Sequence, residues 1–213
     1  VRYQSFQEFE IVVVDDGSED QDNVKNLVEE LGDPRIKFVA HAGSLGVAAA
    51  RNTAAQHSDC LLTAVHDDDD LMLPDRLLDG IAPLSDTVDA TYGSWINFDD
   101  ATGELRGFLT RTGFNEKMIA FNGAGPGHST WTVPTWLIKQ FGYDERLTSS
   151  VDHELASRLM NSGVRWLHVQ KFMYLRRVHD LQITAQDTDN QKAGHTLSKL
   201  ANRFLTSRRG YEQ

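Results

Sequence analysis

The sequence predicts an α/β protein: a largely parallel sheet flanked by helices. Three observations carry this. Short apolar, β-branched runs alternate with amphipathic stretches through the first two-thirds of the chain, as strand–helix–strand units require. Two of those runs end in clusters of aspartate, at DDGSED and HDDDD. The composition, 40% hydrophobic and 24% charged over 213 residues, is ordinary globular usage with ample material for one buried core.

The elements follow in order. Residues 10–14 form a continuous β-branched strand of the kind covered on both faces. Ser18 and Asp20 in the next turn are placed to cap a helix over 22–31, which Gly32, Asp33 and Pro34 end. Residues 36–41 read as the second strand. A loop at Gly43 to Gly46 leads into an alanine-rich helix over 47–57. A third strand covers 61–65, and Pro74 suits the first turn of a helix over 75–81. Residues 90–98 read as a strand and 99–103 as a hairpin turn. STWTVPTWLIKQFG alternates and then turns helical. Leu155, Ala156 and Leu159 give a helix over 152–161 one apolar face, stopped by Gly163, and 166–175 reads as a closing strand. Leu197, Leu200, Phe204 and Leu205 have helical spacing in the tail. The expected organisation is one domain over 1–183 with a C-terminal helical tail over 184–213.

The formal net charge is -10, from 21 Lys and Arg against 31 Asp and Glu. This argues against a general nucleic-acid binder, which needs a basic footprint. The tail from Gln191 is basic, and could touch acidic lipid headgroups at the inner face of a membrane. No apolar run approaches the roughly 18 to 20 residues that span a bilayer. The single cysteine, Cys60, excludes an internal disulfide and a cysteine-built zinc site. A cytoplasmic location is expected, since VRYQSFQEFE shows no charged-then-apolar leader. The start at Val1 suggests a fragment of a longer chain.

AVHDDDDLMLPDRLL is the most informative stretch for chemistry. Four adjacent carboxylates repel one another by roughly 1 kcal/mol per pair at about 4 Å in water. If the segment is extended, Asp67 and Asp69 share one side and Asp68 and Asp70 the other. Two such carboxylates can hold a divalent ion, and Mg²⁺ or Mn²⁺ would keep open positions for a diphosphate. A solvated acidic turn is the alternative. Asp15 and Asp16 tip the first strand, where they could accept hydrogen bonds from a base ring or a ribose. The two acidic tips belong to strands about fifty residues apart, plausible neighbours on one sheet edge. HAGSLGVAAARN lacks the third glycine of a dinucleotide fingerprint. Arg51 and Asn52 on its helix could reach phosphate, brace the acidic loop, or simply lie on the surface.

Taken together, QSFQEFEIVVVDDGSED, GVAAARN, HDDDDLMLPDRL and YDERL…VDHELASRL resemble the inverting family-two glycosyltransferases of GT-A fold, over about residues 4–179. The resemblance implies a Rossmann-like, mostly parallel sheet with a smaller mixed sheet on the acceptor side. It also implies a nucleotide-sugar donor, usually a UDP-sugar, and a divalent metal, Mn²⁺ or Mg²⁺, at a DxD motif filled by Asp67 and Asp69. Asp16 matches the base-reading carboxylate, with Asp15 beside it; Arg51 and Asp68 join the nucleotide set. Asp152 takes the position of the general base, with Glu154 as the competing carboxylate because Val151 replaces the usual preceding glutamate. His179 matches a metal- or phosphate-binding histidine, and His128 lies where the acceptor-side strand begins. The acceptor would be a saccharide, a lipid-linked sugar or a protein, as in polysaccharide biosynthesis. The family's opening strand and loop precede the motifs present here, so the first strand of the fold is expected to be missing. Three other classes fit parts of the pattern: a sugar-nucleotide nucleotidyltransferase, a non-catalytic carbohydrate-binding relative, and a calcium-stabilised structural domain.

Overall fold

The computed structural model describes residues 1–114 and 125–179, together with Thr196. The alternation of runs is realised as an α/β fold. β1 (Ile11–Asp15) pairs in parallel with β2 (Ile36–Ala40), with α1 (Gln21–Leu31) as the crossover. Gly32 closes α1 in the left-handed conformation, donating its N–H to Glu29 O, as its position after the periodic run requires. The expected caps do not form: Asp20 is the N-cap residue, yet neither it nor Ser18 makes a side-chain cap bond. The Asp15 carboxylate takes over the turn instead. Its Oδ1 accepts from the N–H groups of Gly17 and Ser18 at 3.0 and 2.9 Å and from Gln21 Nε2 at 3.0 Å.

α2 (Val47–Gln56) presents Ala48, Ala49 and Ala55 inward, small side chains that let it lie close to β1. β3 (Leu62–Ala64) enters a second, six-stranded sheet. The others in it are β4 (Leu71–Met72), β5 (Ala90–Asp99), β6 (Leu105–Leu109), β7 (Thr132–Pro134) and β8 (Trp166–Val178). The order is β3-β7-β5-β8-β4, with β6 hydrogen-bonded to β5. Within it β5 and β8 run parallel and the remaining pairs are antiparallel. The hairpin turn expected at 99–103 joins β5 to β6. Asp99 Oδ1 accepts from the Ala101 and Thr102 amides there, and Gly103 supplies the positive φ of 72°.

Three helices complete the described fold: α3 (Arg76–Ile81), α4 (Thr135–Phe141) and α5 (Val151–Asn161). The predicted apolar face of α5 is the buried one: Leu155, Ala156 and Leu159 are fully enclosed against Trp131, Tyr92 and Val133. Burying a side chain of this size contributes about 1.5–3 kcal/mol. β8 runs three residues past its predicted end. It is interrupted at Gln170 (φ 53°), where the Gln170 N–H donates to His168 Nδ1 at 3.0 Å and the register with β5 shifts. No helix among the described residues is long and apolar enough to cross a membrane. The tail helix expected at 184–213 lies outside the described residues, Thr196 apart.

Candidate active site

The site grows from three loops fastened by α2. At the first, Asp16 leaves the tip of β1 and enters the 41–46 loop. Oδ1 accepts from His41 Nδ1 at 2.7 Å and Leu45 N at 2.9 Å, and Oδ2 from Ser44 Oγ and Gly46 N, both at 2.8 Å. An ionised carboxylate only accepts, so His41 carries its proton on Nδ1; Nε2 then faces Thr53 Oγ1 of α2 at 2.9 Å. These donors outweigh the cost of burial and hold the Asp16 carboxyl well below the usual range. The approach of the two loops depends on Gly17 (φ 81°), where a Cβ would meet Gly43 C and Ser44 N at 2.6 Å. Asp16, expected to read a base, thus spends its roughly four acceptor positions on its own loop.

At the second loop the extended alternation predicted for the aspartates does not hold. Residues 67–70 fold as a turn after β3, closed by Asp70 N–H donating to Asp67 O at 3.3 Å. Four carboxylates in an extended row repel; the turn splays them to separate partners. Asp67 accepts from Arg51 of α2 at 3.1 Å and from the Ser129 hydroxyl. Burial opposes its ionisation, but His128 where acid protonates it, the Arg51 charge and the Ser129 hydrogen bond lower its pKa overall. Asp68 is exposed at the tip. Asp69 Oδ2 lies 3.3 Å from His179 Nε2, both partly open to solvent. Asp70 is buried and accepts from the Arg177 amide at 2.9 Å; burial, with Asp69 and Asp67 nearby, pushes its carboxyl up to about 7.

Among the described residues no group of three or more His, Cys, Asp or Glu side chains is arranged to hold a metal. The expected trio of Asp67, Asp69 and His179 is therefore not assembled: Asp67 is drawn to Arg51 and Ser129, while Asp69 and His179 remain as a pair. That pair could supply two of the ligands of a divalent ion. A carboxylate beside an imidazole suits Mn²⁺ better than Mg²⁺.

The third loop opens α5. Asp152 sits in the first helical turn, after Ser150 in the left-handed conformation (φ 56°). Burial opposes its ionisation, yet His153 and His128 where acid protonates them, the Arg51 charge and the local backbone hold its pKa below the ordinary value. Glu154 is committed elsewhere. It forms a two-pronged pair with Arg158, Nε–Oε1 at 2.6 Å and Nη2–Oε2 at 2.7 Å, and Arg158 also donates to the carbonyls of Phe141 and Gly142. It braces α5 against the end of α4. His128, expected near the acceptor side, is 8% exposed, its Nε2 is 2.8 Å from Tyr143 Oη, and burial lowers its pKa to about 4. It is a neutral core imidazole under the site.

Arg51, one of several options from sequence, braces the acidic turn and stacks 5.6 Å from the Tyr143 ring centroid. Asn52 ties α2 to Tyr143, accepting its N–H at 2.7 Å and donating to its carbonyl at 2.9 Å. Sequence reasoning missed Ser129, adjacent to the singled-out His128, and Arg76. The latter lies fully buried beneath the acidic turn, donating to Thr132 Oγ1 at 2.7 Å and Trp131 O at 2.6 Å. Its only signal was a charge inside the apolar PDRLL run.

Residues 1–141 match the model of the family described as "Glycosyl transferase family 2". The chain is 30% identical over 174 residues to the succinoglycan biosynthesis protein ExoU of Rhizobium meliloti, covering 74% of this chain and 50% of the relative. It spans 62% of the length of the uncharacterized glycosyltransferase MJ1057 of Methanocaldococcus jannaschii, to which it is 24% identical over 82% of this chain, and half the length of ExoU. Among solved structures, the mannosyltransferase PcManGT from Pyrobaculum calidifontis, in complex with GDP-Man and Mn²⁺, superposes with a TM-score of 0.69 at 18% identity. That match covers 95% of this chain and 57% of the other. Residues 1–349 of TarS from S. aureus, in complex with UDP, give 0.65 at 22% identity, covering 84% and 54%. At those identities the likeness shows the fold alone.

Proposed function

Because this chain belongs to glycosyl transferase family 2, we propose that it moves a sugar from a nucleotide-diphosphate donor, a UDP-sugar, to an acceptor hydroxyl with inversion. One observation carries this reading. Arg51 joins the Asp67 turn to the start of α5: it bonds Asp67 directly, and its charge reaches Asp152. An acidic strand tip and a half-buried, ionised carboxylate therefore face one neighbourhood, as a donor diphosphate and an acceptor hydroxyl need.

In this reading Asp152 removes the proton from the acceptor hydroxyl as the oxygen attacks the anomeric carbon. That requires a reach of about 3 Å, directly or through one water. Its low pKa keeps the carboxylate ionised at neutral pH. Arg51 holds Asp67 in place and offers positive charge to the diphosphate. Asp15 and Asp16 act by fixing the 15–18 turn and the 41–46 loop, whose backbone borders the base. A base N–H reaches Asp16 only by exchanging with one of its four donors. Asp68, exposed on the turn, is assigned to the ribose. Asp69 and His179 would hold the divalent ion, Mn²⁺, which when bound neutralises charge on the departing nucleotide.

UDP bound to TarS and GDP-Man with Mn²⁺ bound to PcManGT support the donor class. The part played by ExoU in succinoglycan biosynthesis supports a saccharide acceptor. The test is a thermal-shift panel of UDP, GDP, dTDP and CMP, each with and without Mn²⁺. UDP with Mn²⁺ should raise the melting temperature most, and indifference to all four nucleotides would remove the reading.

A further inference from the structure

Arg76 lies beneath the acidic turn with no part in the transfer step. It is 1% exposed, and the acceptors of its guanidinium are all neutral, three carbonyls and a hydroxyl. Nη1 donates to Thr132 Oγ1 at 2.7 Å. Nη2 donates to Trp131 O at 2.6 Å and, at 3.4 Å, to the carbonyls of Val65 and Ser129. Trp131 O also accepts the Val65 N–H at 3.1 Å, so the guanidinium closes the junction where β3 leaves β7. Two residues beyond Val65 stands Asp67, which accepts from Arg51 and from the Ser129 hydroxyl. One nitrogen thus holds both chain segments that meet at the Asp67–Ser129 bond. The surrounding fold makes room for it. A Cβ at Gly80 of α3 would collide with Thr132 Oγ1 and come within 3.1 Å of Arg76 Nη1, and Gly80 O is fixed by the Thr91 hydroxyl at 2.6 Å. A buried cation without a counter-charge destabilises a fold, and an apolar side chain of that size would not. What the guanidinium supplies is a planar fork that a point charge cannot reproduce.

We infer that Arg76 is a positioning residue for the donor: by holding Val65, Ser129 and Trp131 together it sets the Asp67–Ser129 contact, and with it the turn that presents Asp68 and Asp69. The inference rests on the sugar-transfer reading and deepens it, adding a residue that acts on the nucleotide and its metal only through the turn.

The experiment titrates UDP, with saturating Mn²⁺, into the wild type, Arg76→Lys, Ser129→Ala and the double variant. Thr91→Val, which loosens α3 away from the turn, is the control. Arg76→Lys keeps the charge and loses the fork, so it and Ser129→Ala should each weaken UDP binding roughly tenfold. Because both act on one contact, the double variant should bind at most about twofold worse than the weaker single, whereas independent effects would multiply. Thr91→Val should lower the melting temperature and leave UDP affinity unchanged. If the lysine variant does not fold, Thr132→Val, which removes the Nη1 acceptor and keeps the shape, takes its place in the cycle. Wild-type affinity in the Arg76→Lys or Thr132→Val protein, multiplying losses in the double variant, or an equal loss in Thr91→Val would overturn the inference, while the wild-type response to UDP leaves the transfer reading standing. A wild type that ignores UDP with Mn²⁺ removes both.

Discussion

Asp152 shows how a single carboxylate is prepared. Burial alone would favour its neutral form, but the positive groups around it reverse the balance and lower its pKa. It is therefore expected to stay ionised down to the acid side of the ordinary carboxylate range near pH 4. Asp152→Asn keeps the shape and removes the base. Steady-state kinetics should show kcat lower by about 10²–10⁴-fold with UDP affinity unchanged, and an unaltered kcat would transfer the role to another group. At this scale the sequence was informative about residue type and silent about partners. Asp152 and Glu154 are equivalent carboxylates on paper. Only the fold brings Arg158 and the carbonyls of Phe141 and Gly142 to Glu154, four residues from its arginine on the same helix face.

That clamp operates between elements. Arg158 satisfies carbonyls at the C-terminal end of α4 that have no partner within the helix, and so locks α5, with Asp152 at its start, against α4. Arg158→Ala should lower stability by about 1.5–3 kcal/mol in urea unfolding, the range for hydrogen bonds to a charged group. Loss under about 0.5 kcal/mol would show that the clamp is dispensable. The elements themselves were the most legible part of the sequence, because apolar periodicity and glycine stops are local signals. The spacing of Leu155, Ala156 and Leu159 predicts one apolar helix face, and all three are buried. What failed was the conformation of 67–70. Alternation assumes an extended strand, whereas crowded carboxylates and the Asp67 O bond to Asp70 N–H favour a turn. The capping role given to Ser18 and Asp20 failed for a local reason: the amides of Gln21, Asn23 and Val24 bond to the backbone carbonyls of Ser18 and Asp20, not to their side chains.

For the whole molecule, two buried histidines make stability depend on pH. Burial lowers the pKa of His128 to about 4 and lowers that of His168, whose Nδ1 accepts the Gln170 N–H at 3.0 Å and whose Nε2 faces Ser94 Oγ at 3.1 Å. The unfolded chain protonates both near pH 6.5 while the folded chain resists, so below that pH the unfolded state binds more protons. Their contribution is whole above about pH 6.5 and falls as the pH drops toward 4. Asp70, raised to about 7, acts in the opposite sense across the same window, so the histidine contribution is read as a difference. The melting temperature of the wild type should fall relative to that of His168→Gln as the pH drops, and parallel profiles would contradict the assignment. Neither histidine drew that reading from sequence, since burial of a lone imidazole is a tertiary property.

In the proposed reaction the acidic turn after β3, through Asp69 and its neighbour His179, provides the metal-dependent grip on a nucleoside diphosphate. Titration calorimetry of UDP into the wild type and Asp69→Asn, each with and without Mn²⁺, tests it most directly. The expected result is wild-type binding that needs Mn²⁺ and weakens at least roughly tenfold in the variant, about 1.4 kcal/mol. Equal UDP affinity in both proteins, or binding indifferent to Mn²⁺, would contradict it.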